Sequence, residues 1–212
     1  MSLKLYLLRH GETTFSQAGG YCGSLDPELT PDGLAMAKDF ATAYQDFPWT
    51  AIYASPMTRT QATAAPLAAA TGLTVNLRDG LKEIAYGEWE GQTPEWVQEH
   101  DLQAYMRWLT EPAWNAPTGG ETAVHIASRA NLVIAEIEAQ HPDGSVLVVS
   151  HKATLRIILC SLLGIELGRF RDRIAMPVAS VSCVRFGTHG PLLELLGDRS
   201  HLRPELRHKA GF

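Results

Sequence analysis

The segment LKLYLLRHGET, residues 3–13, decides how the rest of the chain is interpreted. Its apolar run, residues 5–8, is far too short for a signal peptide or a membrane span, and residues 3–8 are typical of a short buried strand. The strand ends in Arg9 and His10, which places a guanidinium and an imidazole where the strand leaves the sheet. In open α/β sheets, ligands bind beyond the carboxyl ends of the strands. We therefore expect a site that begins with these two side chains.

Two further predicted strands end in the same kind of chemistry. One leads into Ser55 and Arg59, and the other leads into Ser150 and His151. Two guanidiniums offer paired donors to a tetrahedral oxyanion, and two imidazoles offer a nucleophile and a further donor. The helices after both serines are expected to aim backbone N–H groups at the same anion, and Ser150 is expected to cap its helix. Because three strands converge, we favour a phosphate site over ordinary surface residues.

Strands and helices alternate along the chain, which predicts an α/β fold. We expect a three-layer sandwich with a mainly parallel central sheet and helices on both faces. Residues 1–212 then form one domain. Within it, residues 78–120 hold four of the five tryptophans and form a lid-like insertion.

The predicted strands are residues 3–8, 51–54, 73–77, 146–149, 181–186 and 192–196. The predicted helices are residues 30–47, one from Pro56 that kinks or ends near Pro66, one from residue 93, and residues 126–140 and 153–163.

Composition limits the function. The 212 residues are 45% hydrophobic and 19% charged, with a formal net charge of −5. This balance is that of a globular protein, and the negative charge argues against a nucleic-acid or an anionic-membrane partner. Three cysteines without a CxxC pair favour a reduced, cytoplasmic protein without a structural zinc site. If the substrate is anionic, the positive charge must be concentrated in one cavity.

A series of short motifs extends through most of the chain in a fixed order. They are RHGET at 9–13, LTPDG at 29–33, SPMTRT at 55–60, LKE at 81–83 with GEWEG at 87–91, GGE at 119–121 and VVSH at 148–151. With these motifs the chain resembles the histidine phosphatase superfamily, which also includes the cofactor-dependent phosphoglycerate mutases. The ordered set is a strong signal, whereas RHG alone would be a weak one.

The resemblance implies a role for each of five side chains. His10 would attack phosphorus in line and carry a phosphohistidine. Arg9 and Arg59 would hold the phosphoryl oxygens and lower the pKa of His10. His151 would donate to the same oxygens. Glu83 would protonate the leaving oxygen and then take a proton from water, with two other acids of its loop, at positions 88 and 90, as alternatives.

The resemblance also implies residues that bind the substrate, and some depart from the commonest family pattern. Asn is usual in place of Ser16, and Arg is usual in place of Gly20, so the rim loses a positive charge. Lys152, where Gly is frequent, can restore that charge and suit a second anionic group; a solvated helix residue is the alternative. Cys22, where Gln is common, is a packing residue or a reactive thiol. The expected substrate-binding residues are Gly11, Ser16, Cys22, Gly23 and Lys152.

These observations favour a phosphomonoesterase of the phosphatase branch that hydrolyses a small phosphorylated metabolite without a metal or other cofactor. We expect a monomer or a homodimer. A phosphoglycerate mutase is the first alternative, but mutases of the family carry a longer insertion than residues 84–118, which separate Glu83 from Gly119. The second alternative is an inactive phosphate-binding module. The presence of all five expected catalytic residues argues against it. The tail from Gly197 either frays or folds over the site.

Overall fold

The computed structural model describes residues 2–209 and residue 211, and over these residues one six-stranded sheet runs in the order β3-β2-β4-β1-β5-β6. The strands are β1 (Leu3–Arg9), β2 (Trp49–Ala54), β3 (Val75–Leu77), β4 (Gly144–Ser150), β5 (Val181–Gly187) and β6 (Gly190–Asp198).

The sheet is mixed. Strand β1 pairs in parallel with β4, and β2 pairs in parallel with both β4 and β3, whereas β5 pairs antiparallel with β1 and β6. The predicted α/β sandwich is confirmed, with an antiparallel edge formed by the last two strands. In the parallel part, Arg9 lies opposite Ser150 and Ala54 lies opposite Val149. The carboxyl ends of three strands therefore meet at one edge, as the sequence predicts.

Helices connect the strands and cover the sheet. They are α1 (Thr14–Ala18), α2 (Pro31–Tyr44), α3 (Thr58–Thr71), α4 (Pro94–His100), α5 (Leu102–Thr110), α6 (Ala123–Gln140), α7 (Lys152–Leu163), α8 (Phe170–Arg173) and α9 (Pro204–Arg207). The predicted end of the helix near Pro66 is wrong, because α3 continues through it to Thr71, and the alternative, a kink there, stays a prediction. The buried Ala64 and Leu67 hold that helix against the sheet and compensate for the missing N–H group. No helix among the described residues is long and apolar enough to cross a membrane.

Strand β1 supplies side chains to two cores, one on each face of the sheet. Leu3, Leu5 and Leu7 pack among apolar residues of α6 and α7, whereas Tyr6 and Leu8 pack among residues of α2 and α3. Successive side chains of a strand point to opposite faces, so a continuous apolar run is what a strand buried on both faces requires. The β1 main chain, and with it Arg9, is thereby fixed from both sides.

Residues 78–120 interrupt the alternation and pack as a unit. Asp101 separates α4 from α5, and its Oδ2 accepts hydrogen bonds from Trp89 Nε1 at 2.9 Å and from Thr118 Oγ1 at 2.7 Å. Trp89 and Trp108 are buried with Tyr21 in a separate aromatic cluster. This cluster joins the segment to the loop that follows α1.

Candidate active site

A cavity of about 310 Å³ opens at the carboxyl edge of the sheet. It brings together eight of the ten predicted site residues, while Gly11 and His151 lie behind its lining. The predicted residues that line it are Arg9, His10, Ser16, Cys22, Gly23, Arg59, Glu83 and Lys152.

His10 is buried directly after β1, where its main-chain and side-chain contacts fix the orientation of its ring. Its Nδ1 lies 2.7 Å from the Gly11 carbonyl oxygen, to which it donates, so that Nε2 carries the lone pair. Burial lowers the pKa of His10 well below its ordinary value, and the charges of Arg59 and Arg9 lower it further. The predicted effect of the two arginines is thus confirmed in direction.

Gly11 supports this geometry from behind. Its N–H donates to Thr63 Oγ1 at 3.0 Å. A Cβ at this position would lie 2.5 Å from the carbonyl oxygen of Gly33 at the start of α2, so only glycine fits. The contacts of Gly11 position His10, and its predicted contact with substrate stays a prediction.

Arg9 is buried and held by main-chain carbonyls on the side away from β1. Its Nη1 donates to the oxygen of Met176 at 2.7 Å and to that of Gly211 at 3.2 Å. Burial lowers the pKa of Arg9 to about 9, against the opposing charge of Glu83, so the guanidinium is still charged at neutral pH. Gly211 belongs to the tail, which therefore folds back onto the site.

Arg59 is also buried, and four groups of the protein hold it. Its Nη1 donates to the Leu25 carbonyl at 2.7 Å and lies 3.4 Å from Asp26 Oδ1, and its Nη2 donates to the Gly23 carbonyl at 3.2 Å. Its Nε donates to His151 Nδ1 at 3.2 Å. A guanidinium held on several edges is fixed before any ligand arrives.

His151 lies behind Arg59, with its ring centroid 5.3 Å from that of His10. Because Nδ1 accepts from Arg59, the ring proton is on Nε2, which donates to Ser55 Oγ at 2.9 Å. Burial and the charge of Arg59 lower the pKa of His151 well below its ordinary value. Both ring nitrogens are used within the protein. The geometry therefore supports an orienting role for His151, and its direct donation to phosphoryl oxygens stays a prediction.

Glu83 is the acid of its loop that lines the cavity. Its Oε1 accepts from the N–H groups of Ile84 at 3.0 Å and Thr154 at 3.1 Å, and its Oε2 accepts from the N–H of Ala153 at 3.2 Å. These bonds fix the carboxylate at the N-terminus of α7. The two alternative acids lie elsewhere: Glu88 is exposed outside the cavity, and Glu90 binds the Ser24 and Tyr86 N–H groups.

The predicted donation from two helix N-termini to the substrate stays a prediction, and carboxylates of the protein accept hydrogen bonds from part of the N–H groups at both helices. Glu83 accepts from the first turn of α7, and Asp26 Oδ2 accepts from the Thr58 N–H of α3 at 2.9 Å. Anions favour the positive end of a helix, whether they come from a ligand or from a side chain. The predicted cap at Ser150 is wrong, because its hydroxyl donates to the Leu81 carbonyl at 2.7 Å instead.

The family follows from comparison with known proteins. A model of the histidine phosphatase superfamily (branch 1) matches residues 5–199. The chain belongs to the histidine phosphatase superfamily. It is 36% identical over 168 residues to phosphoserine phosphatase 1 of Hydrogenobacter thermophilus, covering 79% of this chain and 80% of that protein. It is 28% identical to the adenosylcobalamin/alpha-ribazole phosphatase of Salmonella typhimurium, covering 96% of this chain and all of that one. The solved structure of Bacillus stearothermophilus YhfR superposes with a TM-score of 0.88 at 26% identity, covering 95% of this chain and 100% of that one.

Three residues of the segment after β1 line the cavity of this histidine phosphatase, and their predicted contact with substrate stays a prediction. Ser16 lines the cavity, but its Oγ completes a capping box with Thr13, whose N–H it accepts at 2.8 Å. Gly23 has a φ of +51°, and a Cβ there would lie 2.2 Å from Glu90 Oε1. Burial raises the pKa of the Cys22 thiol to about 11, which contradicts the reactive-thiol alternative.

Sequence reasoning missed much of the far wall of the cavity. Arg156 lies one helical turn after Lys152 on α7. This i, i+4 spacing places the two cations on one side of the helix, and it was the sequence signal that could have identified Arg156 as a cavity residue. Over the described part of the chain, no cluster of three or more His, Cys, Asp or Glu side chains could hold a metal ion. The lining residues that the sequence did not indicate as binding residues include Tyr21, Tyr86, Arg156, Phe170 and Arg171.

Proposed function

We propose that this protein is a phosphomonoesterase that hydrolyses a small phosphorylated metabolite through a phosphohistidine on His10. The observation that carries the proposal is the His10 imidazole, buried and neutral, with its Nε2 unprotonated between two fixed arginines. An imidazole in this state is a nucleophile, and two guanidiniums suit the equatorial oxygens of a phosphoryl group.

In the first step, Nε2 of His10 forms a bond to phosphorus and the bond from phosphorus to the ester oxygen breaks. Arg9 and Arg59 hold the three equatorial oxygens as charge spreads over them. Glu83, protonated at this stage, donates its proton to the leaving oxygen. The phosphorylated ring retains the proton on Nδ1 and gains positive charge. The Gly11 carbonyl, 2.7 Å from Nδ1, stabilises that charge.

In the second step, a water oxygen forms a bond to phosphorus and the bond from phosphorus to Nε2 breaks. The electron pair of that bond returns to His10, and the Glu83 carboxylate takes a proton from the attacking water. Inorganic phosphate leaves, and both side chains are restored to their starting states. Glu83 suits both steps because four donors hold it in one place, the Thr154 hydroxyl being the fourth.

The cavity volume of about 310 Å³ suits a small metabolite. Relatives named for phosphoserine and for α-ribazole phosphate support this substrate class. Residues 78–120 contribute Glu83, Tyr86 and Trp108 to the wall of the cavity, which fits the predicted lid within one domain of residues 1–212. A cytoplasmic location and a monomeric or homodimeric state stay predictions from the sequence.

The covalent intermediate is the direct test. Rapid quench with a ³²P-labelled phosphomonoester should trap label on the protein that is labile to acid and stable to base. His10→Ala should abolish both label and turnover, whereas His125→Ala, an exposed histidine of α6, should keep both. Near-normal turnover by His10→Ala would overturn the mechanism.

A second assay separates the hydrolase from the mutase alternative. Wild-type protein is incubated with 3-phosphoglycerate, with and without a 2,3-bisphosphoglycerate primer. We expect release of inorganic phosphate from phosphomonoesters and no primer-dependent isomerisation. Isomerisation faster than hydrolysis would assign the chain to the mutases.

A further inference from the structure

Three further cationic side chains, supplied by helices α7 and α8, line the cavity. Lys152 and Arg156 lie one turn apart on the same side of α7, and Arg171 belongs to α8. The guanidinium carbon of Arg171 lies 3.9 Å from the centroid of the Trp108 ring. Stacking on an aromatic face fixes a guanidinium plane and leaves its N–H edges available for hydrogen bonds.

These cations lack anionic partners. Within residues 2–209 and 211, no hydrogen bond or ion pair joins the side chain of Lys152, Arg156 or Arg171 to another group of the protein. By contrast, Arg129 on the neighbouring α6 forms an ion pair with Glu121 at 3.0 Å and donates to three carbonyls. The charge of Arg129 is thus satisfied by the protein itself, whereas those of Lys152, Arg156 and Arg171 are not satisfied by the described residues.

The three charges also repel one another. Burial lowers the pKa of Lys152 to about 8, and the charges of Arg9, Arg156 and Arg171 contribute, against the opposing charge of Glu83. Burial, together with the charge of Arg171, likewise lowers the pKa of Arg156. Repulsion between partly desolvated cations has a free-energy cost that a bound anion removes. The cluster is therefore arranged for a charge that the folded chain does not supply.

The phosphoryl group does not account for this cluster. In the proposed mechanism, Arg9 and Arg59 hold its oxygens. Among the described residues that line the cavity, five are Lys or Arg and one, Glu83, is acidic, in a chain whose formal net charge is −5. Three cations therefore remain for another part of the ligand.

We propose that Lys152, Arg156 and Arg171 form a second anion subsite, so that the substrate is a phosphomonoester carrying a second anionic group, either a carboxylate or another phosphate. This inference rests on the proposed phosphomonoesterase activity. Trp108 positions Arg171 by stacking. The aromatic wall of Tyr21 and Phe170 contacts the carbon skeleton between the two anions. The subsite thereby selects among small phosphorylated metabolites by their charge as well as their size.

The test compares matched pairs of substrates on each protein. In one pair, 3-phosphoglycerate and glycerol 3-phosphate differ by a carboxylate. In the other, fructose 1,6-bisphosphate and fructose 6-phosphate differ by a second phosphate. For at least one pair, wild-type kcat/KM should favour the more anionic member by about tenfold or more. Whichever pair shows the preference identifies the anion.

Substitution then assigns the preference to residues. Arg156→Met and Arg171→Met should each reduce the ratio within the preferred pair by about tenfold. Arg171→Lys should restore part of it. Arg173→Met, an exposed arginine two positions further along α8, should leave the ratio unchanged. A folding defect lowers both members of a pair equally and leaves the ratio intact, so an unchanged ratio in Arg156→Met and Arg171→Met would overturn the subsite.

Binding separates failure of the subsite from failure of the proposed function. Isothermal titration of His10→Ala with 3-phosphoglycerate and with glycerol 3-phosphate reports affinity without turnover, and the fructose phosphates are measured in the same way. An affinity ratio that disappears when Arg171→Met is added supports the subsite even if no phosphomonoester is hydrolysed. Equal affinity within both pairs overturns the subsite even if hydrolysis is fast.

Discussion

Two groups of side chains line the cavity, those that follow the strand ends and those on helices α7 and α8. The protein holds the first group by hydrogen bonds and, over the residues that the structure describes, leaves the second without such partners. In the first group, Arg9 and Arg59 are held by carbonyls and a carboxylate of the protein, and His10 is held through Nδ1. In the second group, the side chains of Arg156 and Lys152 have no hydrogen-bond or ion-pair partner among the described residues. Groups that stabilise a transition state must be fixed before the substrate binds. Groups that select a ligand can instead find their hydrogen-bond or charge partner on the ligand itself. We therefore expect the first group to set the rate for every substrate and the second to set the preference among substrates.

The strongest test of this division is the loss of Arg59. Arg59→Met should lower kcat/KM by about 10³-fold on every phosphomonoester, because the transition-state charge loses a fixed donor. The factor should be the same for 3-phosphoglycerate and glycerol 3-phosphate. Steady-state kinetics on both substrates measures it, and far-UV circular dichroism checks the fold.

Arg59→Lys is the control for a folding defect in this experiment, because it keeps the positive charge at this position but lacks the paired donors of arginine. It should also lose activity equally on both substrates. A loss confined to 3-phosphoglycerate would contradict the division, because it would place Arg59 at the second anion.

A smaller effect is expected from Glu83, and it should depend on the leaving group. Glu83→Gln should lower kcat/KM by about 10²-fold on an alkyl phosphate, whose leaving oxygen needs a proton. It should lower p-nitrophenyl phosphate hydrolysis much less, since that leaving group departs as an anion.

The neighbouring Glu90 provides a matched control for a structural role. It hydrogen-bonds the Ser24 and Tyr86 N–H groups without lining the cavity. Glu90→Gln should therefore lower both activities by the same factor. Equal losses in Glu83→Gln as well would show that Glu83 holds α7 in place rather than transferring a proton.

The same division explains how much could be predicted from the sequence. Arg9, His10, Arg59 and His151 follow strands whose apolar runs are visible in the sequence. Because parallel strands end at one edge of the sheet, recognising the three strands also predicts that the residues at their ends lie close together. The fold class and the first group of side chains could therefore be predicted before any coordinates.

The second group depends on information that strand patterns do not carry. Arg156 and Arg171 lie on different helices, and their meeting depends on how α8 and Trp108 of α5 pack over the cavity. The occupation of the α7 N-terminus by Glu83 also could not be read from the sequence, because that carboxylate comes from a loop about seventy residues earlier. Tertiary packing decides which helix faces converge, and the local sequence does not encode it.

The smallest expected effect concerns pH, and it tests whether the loss of charge on Lys152 changes the preference between two substrates. Titration of Arg9, with a pKa of about 9, should affect both substrates equally. With a pKa of about 8, Lys152 is charged in about nine of ten free molecules at pH 7 and in about one of ten at pH 9. Raising the pH through 8 should therefore lower kcat/KM for 3-phosphoglycerate relative to glycerol 3-phosphate, by up to about tenfold. Neither substrate changes its own charge in this range, since the second phosphate pKa is near 6.

The bound carboxylate favours the charged lysine, so the fall should occur at a higher pH in kcat, which reports the complex, than in kcat/KM, which reports the free enzyme. Lys152→Arg keeps its charge throughout this range and should abolish the fall, whereas Lys152→Met should show the low ratio at every pH. A fall that persists unchanged in Lys152→Arg would assign the titration to another group and remove Lys152 from the second anion subsite.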